Sequence, residues 1–189
     1  MTASPSGVHG IEHVGITVPD MDAAIAFFAA AFDAVVLYEL RRAREPIPDP
    51  APGVLEAMIG VVPGTRPVRT VILRLGSGAN LELFEYAADD RRPAARPSDF
   101  GLQHVGVLVD DIDAAAARVV AAGGEALSGP HPLPRAESGP GNLFRYTRAP
   151  WGTMVELVAL PSPQQYFAST PLRKWRPVDD GAWRLPADD

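Results

Sequence analysis

One phrase occurs twice in the chain. His-Val-Gly-x-x-Val-x-Asp-x-Asp-Ala-Ala opens at His13 and again, 91 residues later, at His104. Alanine-rich helices coincide by composition, so the weight rests on the His-Val-Gly and Asp-x-Asp elements. A unit this long exceeds the repeats of solenoids and points to two fused copies of one half-domain. Whatever the first copy folds into, the second must be able to fold into as well.

Both copies read in the same way. Along 11–18, Val14, Ile16 and Val18 alternate with His13, Gly15 and Thr17, the pattern of a half-buried strand. Asp20 or Asp22 can cap a helix running to Phe32, because a carboxylate accepts from the unpaired first-turn amides. In the second copy Val105, Val107 and Val109 face the core, Asp111 or Asp113 caps, and the helix runs to about Ala122 before Gly123-Gly124. Further strands are expected at 35–40, 55–62, 70–75 and 80–86, then at 125–127, 142–148 and 152–159. The fold class is therefore α+β. Two tandem βαβββ modules are expected, forming a curved, cup-like mixed sheet with the helices outside.

The expected divisions are a flexible N-terminus at 1–10, modules at 11–87 and 101–160, a linker at 88–100, and a tail at 161–189. The first half is longer by 17 residues between its His and its later Glu, and the proline-rich stretch 43–67 is expected to be a long loop or lid. The tail carries Tyr166, Phe167, Trp175 and Trp183 among Arg and Lys, so it is expected to dock on the body or on a partner subunit.

Composition narrows the function. Seventeen basic against 23 acidic residues give a net charge of −6, which disfavours a nucleic-acid partner. No run approaches the roughly 20 apolar residues of a membrane span, and the N-terminus lacks the pattern of a signal peptide. With no cysteine there is no disulfide, thiolate ligand or cysteine nucleophile, consistent with a cytoplasmic protein.

Each half also carries a Glu in an apolar strand. In Leu81-Glu82-Leu83-Phe84-Glu85, period two sets Glu82 and Phe84 opposite Leu81 and Leu83. In Met154-Val155-Glu156-Leu157-Val158, Glu156 lies opposite Val155 and Leu157. His13, Glu82, His104 and Glu156 thus all project away from the helix-covered side of a sheet, and they are expected to converge in one cavity. Two neutral imidazoles and two carboxylates balance a divalent ion, and the donor set suits Zn, Ni, Co, Fe or Mn. Six-coordination would leave two positions for water or a bidentate substrate.

The residues His13-Val14-Gly15, Leu81-Glu82-Leu83, His104-Val105-Gly106 and 150–157 (Pro-Trp-Gly-Thr-Met-Val-Glu-Leu) resemble the vicinal oxygen chelate superfamily. Glyoxalase I, methylmalonyl-CoA epimerase, extradiol dioxygenases and the fosfomycin- and bleomycin-resistance proteins belong to it. The resemblance covers 11–160, and Ala149 stands where the family usually has Asp. It implies metal ligands at His13, Glu82, His104 and Glu156. It also implies a lyase or isomerase nearest the glyoxalase and epimerase branches, acting through an enolate or enediolate on a small substrate that chelates through adjacent oxygens. Glu82 or Glu156 would double as the catalytic base, and a homodimer is expected. The rival enzyme is an iron-dependent ring-cleaving dioxygenase using His13, His104 and Glu156, and a third reading is a non-catalytic small-molecule binder.

Other residues have plainer explanations. Helix capping accounts for the Asp-x-Asp pairs. Gly139-Pro140-Gly141 lacks the Lys-Ser or Lys-Thr of a phosphate loop and reads as a turn. His131 falls in a loop and His9 in the N-terminus, so neither is assigned to the site. Arg145, Arg148, Arg173 and Lys174 could hold an anionic group, though surface charge explains each one. Phe84, Phe100 and Tyr146 are candidate pocket walls.

Overall fold

The computed structural model describes residues 10–41, 48–170 and Lys174. His9, part of the 43–67 stretch, Arg173, Trp175 and Trp183 lie outside the described residues.

The chain is α+β with two mixed sheets. The first contains β1 (His13–Thr17), β2 (Val35–Arg41), β3 (Arg66–Arg74) and β4 (Asn80–Ala87) in the order β1-β4-β3-β2. The second contains β5 (Val105–Leu108), β6 (Glu125–Ala126), β8 (Leu143–Arg148) and β9 (Met154–Ala159) in the order β5-β9-β8-β6, with the short β7 (His131–Pro132) beside β8. In each sheet the opening strand runs parallel to the last one, and every other pairing is antiparallel. The duplication seen in the sequence is therefore a duplication of topology.

Helix α1 (Met21–Phe32) follows β1 and α3 (Ile112–Ala121) follows β5. Asp111 caps α3, accepting from the amides of Asp113 at 3.0 Å and Ala114 at 2.9 Å. Ile112, Ala115, Ala116 and Val119 fall at helical spacing and are buried; the first three form a core with Val155, Leu157 and Ala159 of β9. A buried Leu such as Leu157 contributes roughly 1.5–3 kcal/mol relative to an exposed one.

Two expectations differ from the structure. Residues 55–62 do not form a strand; Val54–Ile59 is a short helix, α2. Glycines bound it on both sides in the left-handed region, Gly53 at φ 83° and Gly60 at φ 70°. Between them Leu55, Glu56, Ala57 and Met58 are strong helix formers.

The second difference concerns α1. The chain forms two compact units, and α1 groups with the second rather than with the sheet that flanks it in sequence. Its side chains explain the choice. Phe27 and Phe28, both buried, pack on Trp151 with ring centroids 5.3 and 5.7 Å away. Arg118 of α3 donates to the Ala30 carbonyl at 3.2 Å and pairs with Asp33 at 2.6 Å.

The start of the tail is held on the second unit. Asn142, 1% exposed, accepts from the Ser162 amide at 3.0 Å and donates to the Glu137 carbonyl at 3.0 Å. Lys174 pairs with Glu137 at 2.5 Å. Among the described residues no helix is long and apolar enough to cross a membrane.

Candidate functional site

Strand register places a His and a Glu together in each unit. In the first sheet β1 lies parallel to β4 with Gly15 opposite Glu82. Side chains two apart share a face, so His13, Gly15 and Glu82 lie on the same side. In the second sheet Gly106 lies opposite Glu156 in the same way. A Cβ at Gly106 would stand in ordinary contact, 3.9 Å from the Glu156 carboxylate.

The two pairs have the same geometry. His13 Nε2 lies 3.1 Å from Glu82 Oε2, and His104 Nε2 lies 3.1 Å from Glu156 Oε2. Both carboxylates are more sheltered than their imidazoles, at 15% and 18% exposure against 45% and 27%. Each pair belongs to one unit. Among the described residues no group of three or more His, Asp or Glu side chains is gathered as a metal site.

The second nitrogen of each ring is also occupied, and by the preceding residue. Glu12 meets Nδ1 of His13, and Gln103 Oε1 meets Nδ1 of His104 at 2.9 Å. A carboxylate only accepts, so His13 Nδ1 must carry its proton. Gln103 donates its amide nitrogen to the Pro97 carbonyl at 3.1 Å, which turns its oxygen toward His104 and requires a proton on that Nδ1 too. In a neutral ring Nε2 is then a bare lone pair facing a carboxylate oxygen 3.1 Å away. Two acceptors at that distance repel unless a second ring proton or a cation lies between them. Glu12 favours the proton at His13: its hydrogen bond, with the nearby Glu82 charge, raises the imidazole pKa above its ordinary 6.5. A divalent ion would satisfy both nitrogen and oxygen, so each pair is chemically suited to supply two ligands.

Aromatic rings flank each pair. Tyr146 lies opposite Glu156 in the ladder, and its ring meets His104 edge-on at 5.3 Å, with Phe144 5.8 Å further along the strand. In the other unit Phe84 and Tyr86 follow Glu82 at period two and stack on each other at 5.7 Å. Burial first, and then the neighbouring Glu82 or Glu156 charge, lifts the phenol pKa of Tyr86 and of Tyr146. Sequence reading did not single out Tyr86; its place four residues after Glu82 on the same strand face was the available signal. Phe100, a candidate wall, is fully exposed and lines nothing.

The remaining candidates have structural duties. Glu85 does not join Glu82; it accepts from the Met21 amide at the start of α1 at 3.3 Å. Arg145 donates to the Leu127 carbonyl at 3.0 Å, and Arg148 pairs with Glu125 at 2.8 Å. His131 meets Ser128 at 3.3 Å and packs near Phe144. The loop before β9 is shaped by Gly152 at φ 103° and by Trp151, whose indole donates to Thr153 at 2.7 Å; it delivers the strand carrying Glu156.

The chain is similar to known proteins. A family model described as the Glyoxalase/Bleomycin resistance protein/Dioxygenase superfamily matches residues 12–139. A 2-epi-5-epi-valiolone epimerase from Actinomyces sp. is 36% identical over 181 residues, covering 94% of this chain and 92% of its own length. Among solved structures, a glyoxalase family protein from Bacillus cereus matches with a TM-score of 0.61 at 16% identity, covering 84% of this chain and 97% of that one. A glyoxylase/bleomycin resistance protein/dioxygenase domain from Frankia sp. matches with a TM-score of 0.56 at 17% identity, covering 80% and 98%. At such identities the structural likeness speaks for the fold alone.

Proposed function

Because the chain belongs to the glyoxalase/bleomycin resistance protein/dioxygenase superfamily, we propose that it is a divalent-metal-dependent isomerase of the epimerase type. Its substrate is a small ketone with an oxygen on the adjoining carbon, like the valiolone named for its relative. His13, Glu82, His104 and Glu156 would hold the ion. The observation that carries this reading is the repeated His–Glu pair, each with Nε2 facing a carboxylate oxygen at 3.1 Å, in a chain alike over nearly its whole length to an epimerase.

The ion, when bound, polarises the substrate carbonyl and so acidifies the neighbouring C–H bond. Either Glu82 or Glu156 would take that proton, and a proton from solvent delivered to the opposite face of the planar enolate would invert the carbon. Both carboxylates are partly sheltered from water, at 15% and 18% exposure. Phe84 with Tyr86, and Phe144 with Tyr146, present ring faces and phenol hydroxyls beside the two pairs, suited to hold an oxygenated ring. Chelator treatment is expected to remove the ion and the activity with it.

Incubating the purified protein with 2-epi-5-epi-valiolone in deuterated water and following the proton spectrum tests the reading. Deuterium should enter at one carbon as a second epimer appears, with about one metal ion per chain. His13→Ala with His104→Ala should abolish both metal content and exchange. Exchange that survives this double substitution, or a wild-type protein that takes up no divalent ion, would sink the proposal. Oxygen uptake with a catechol under ferrous iron would move the assignment to ring cleavage.

A further inference from the structure

The residue before each histidine has no part in the chemistry above, yet both make the same contact. Glu12 and Gln103 precede His13 and His104, and each places a side-chain oxygen on the Nδ1 of the ring that follows. Both are anchored in turn: Glu12 accepts from Asn80 at 3.4 Å, and Gln103 donates to Pro97 at 3.1 Å. Deepening the metal-dependent reading, on which it rests, we infer that Glu12 and Gln103 are positioning residues that lock each imidazole as the Nδ1–H tautomer and aim Nε2 at its glutamate as a metal donor.

The contact fixes two choices at once, the proton position and the ring rotation. An oxygen acceptor at Nδ1 selects the tautomer, and its anchor prevents the ring from flipping to offer Nδ1 to the glutamate instead. The alternatives are surface hydrogen bonds of no consequence. Against that stands the recurrence: two different side chains, one charged and one neutral, supply an acceptor at equivalent places in the two copies. Packing does not require either one, for Glu12 is 76% exposed and Gln103 is exposed as well.

Two measurements test it in the full-length protein. In the metal-free protein, imidazole nitrogen shifts from two-bond proton–nitrogen spectra, taken at alkaline pH where the rings are neutral, should show His13 and His104 as Nδ1–H. His9 and His131 serve as internal references. Glu12→Ala and Gln103→Ala should each move their own ring toward Nε2–H, the tautomer that donates to Glu82 or Glu156, whereas Glu12→Gln and Gln103→Glu, which keep an oxygen acceptor, should retain Nδ1–H. Calorimetric titration with Zn(II) should show each alanine variant weakened by about 10- to 100-fold, as loss of such supporting bonds does elsewhere, with the acceptor-retaining variants close to wild type. Tautomers unchanged in the alanine variants, or Zn(II) affinities within about 2-fold of wild type, would overturn the inference while leaving the metal reading intact. A wild-type protein that binds no Zn(II) or other divalent ion overturns that reading, and the positioning role with it.

Discussion

At the scale of single residues the glutamates divide by strand period. Glu82 and Glu85 lie three apart on β4 and so on opposite faces; one meets His13 and the other steadies the first turn of α1. Substituting Glu82→Gln and Glu156→Gln separately should distinguish their roles, because Gln keeps the shape and loses the base. The variant lacking the base is expected to lose about 10²–10⁴-fold in deuterium exchange, and the other to lose mainly metal occupancy; exchange and metal analysis on each variant check this. The tyrosines offer a pH test. Tyr86 and Tyr146 bind their phenol protons more tightly folded than unfolded, so their contribution to stability is complete below the ordinary tyrosine value of 10.0 and is lost as pH rises through the folded values. Urea midpoints should therefore fall at strongly alkaline pH, and Tyr86→Phe together with Tyr146→Phe should flatten that fall. The glutamates could be found from period two alone. Tyr86 could not be given its weight, since an aromatic in a strand has the same appearance whether it packs a core or flanks a site.

Among the elements, the expected strands were legible except at 55–62, where a helix stands. Strands β1, β4, β5, β8 and β9 lie within a few residues of where alternation put them. Segment 55–62 misled because its apolar run fits a short strand as well as a helix, and the glycines at its ends decide the matter only once their backbone angles are known. The junction after α3 has a similar hidden constraint. Gly124 has no room for a side chain: a Cβ there would lie 2.7 Å from the Arg148 carbonyl and 2.8 Å from Val119. Gly124→Ala should cost about 1–3 kcal/mol through overpacking, read as a lower urea midpoint at constant slope. Asn142→Ala leaves the Ser162 amide and the Glu137 carbonyl without their partner, and about 1–3 kcal/mol should be lost there too. Thermal melts of both variants check these values.

For the whole molecule, the duplication does not mean two independent folding units. Helix α1 belongs by sequence to the first copy and by packing to the second unit, with Phe27 and Phe28 on Trp151. A fragment ending at residue 87 would expose both rings, so it is expected to be unfolded or aggregated alone. Phe27→Ala in the full chain should cost about 3–5 kcal/mol; circular dichroism of the fragment and urea unfolding of the variant decide. The sequence by itself determined the repeat, the α+β class and the strand faces that carry the His and Glu residues, because those depend on short-range period and on like segments folding alike. Only the tertiary structure decided which partner α1 takes, that Glu12 and Gln103 hold the imidazoles, and that Arg145 and Arg148 are already engaged. The packing of α1 and the arginine contacts join segments far apart in the chain, while the Glu12 and Gln103 contacts join neighbours through particular side-chain rotamers; a local pattern of apolar and polar residues records neither distant partners nor rotamers.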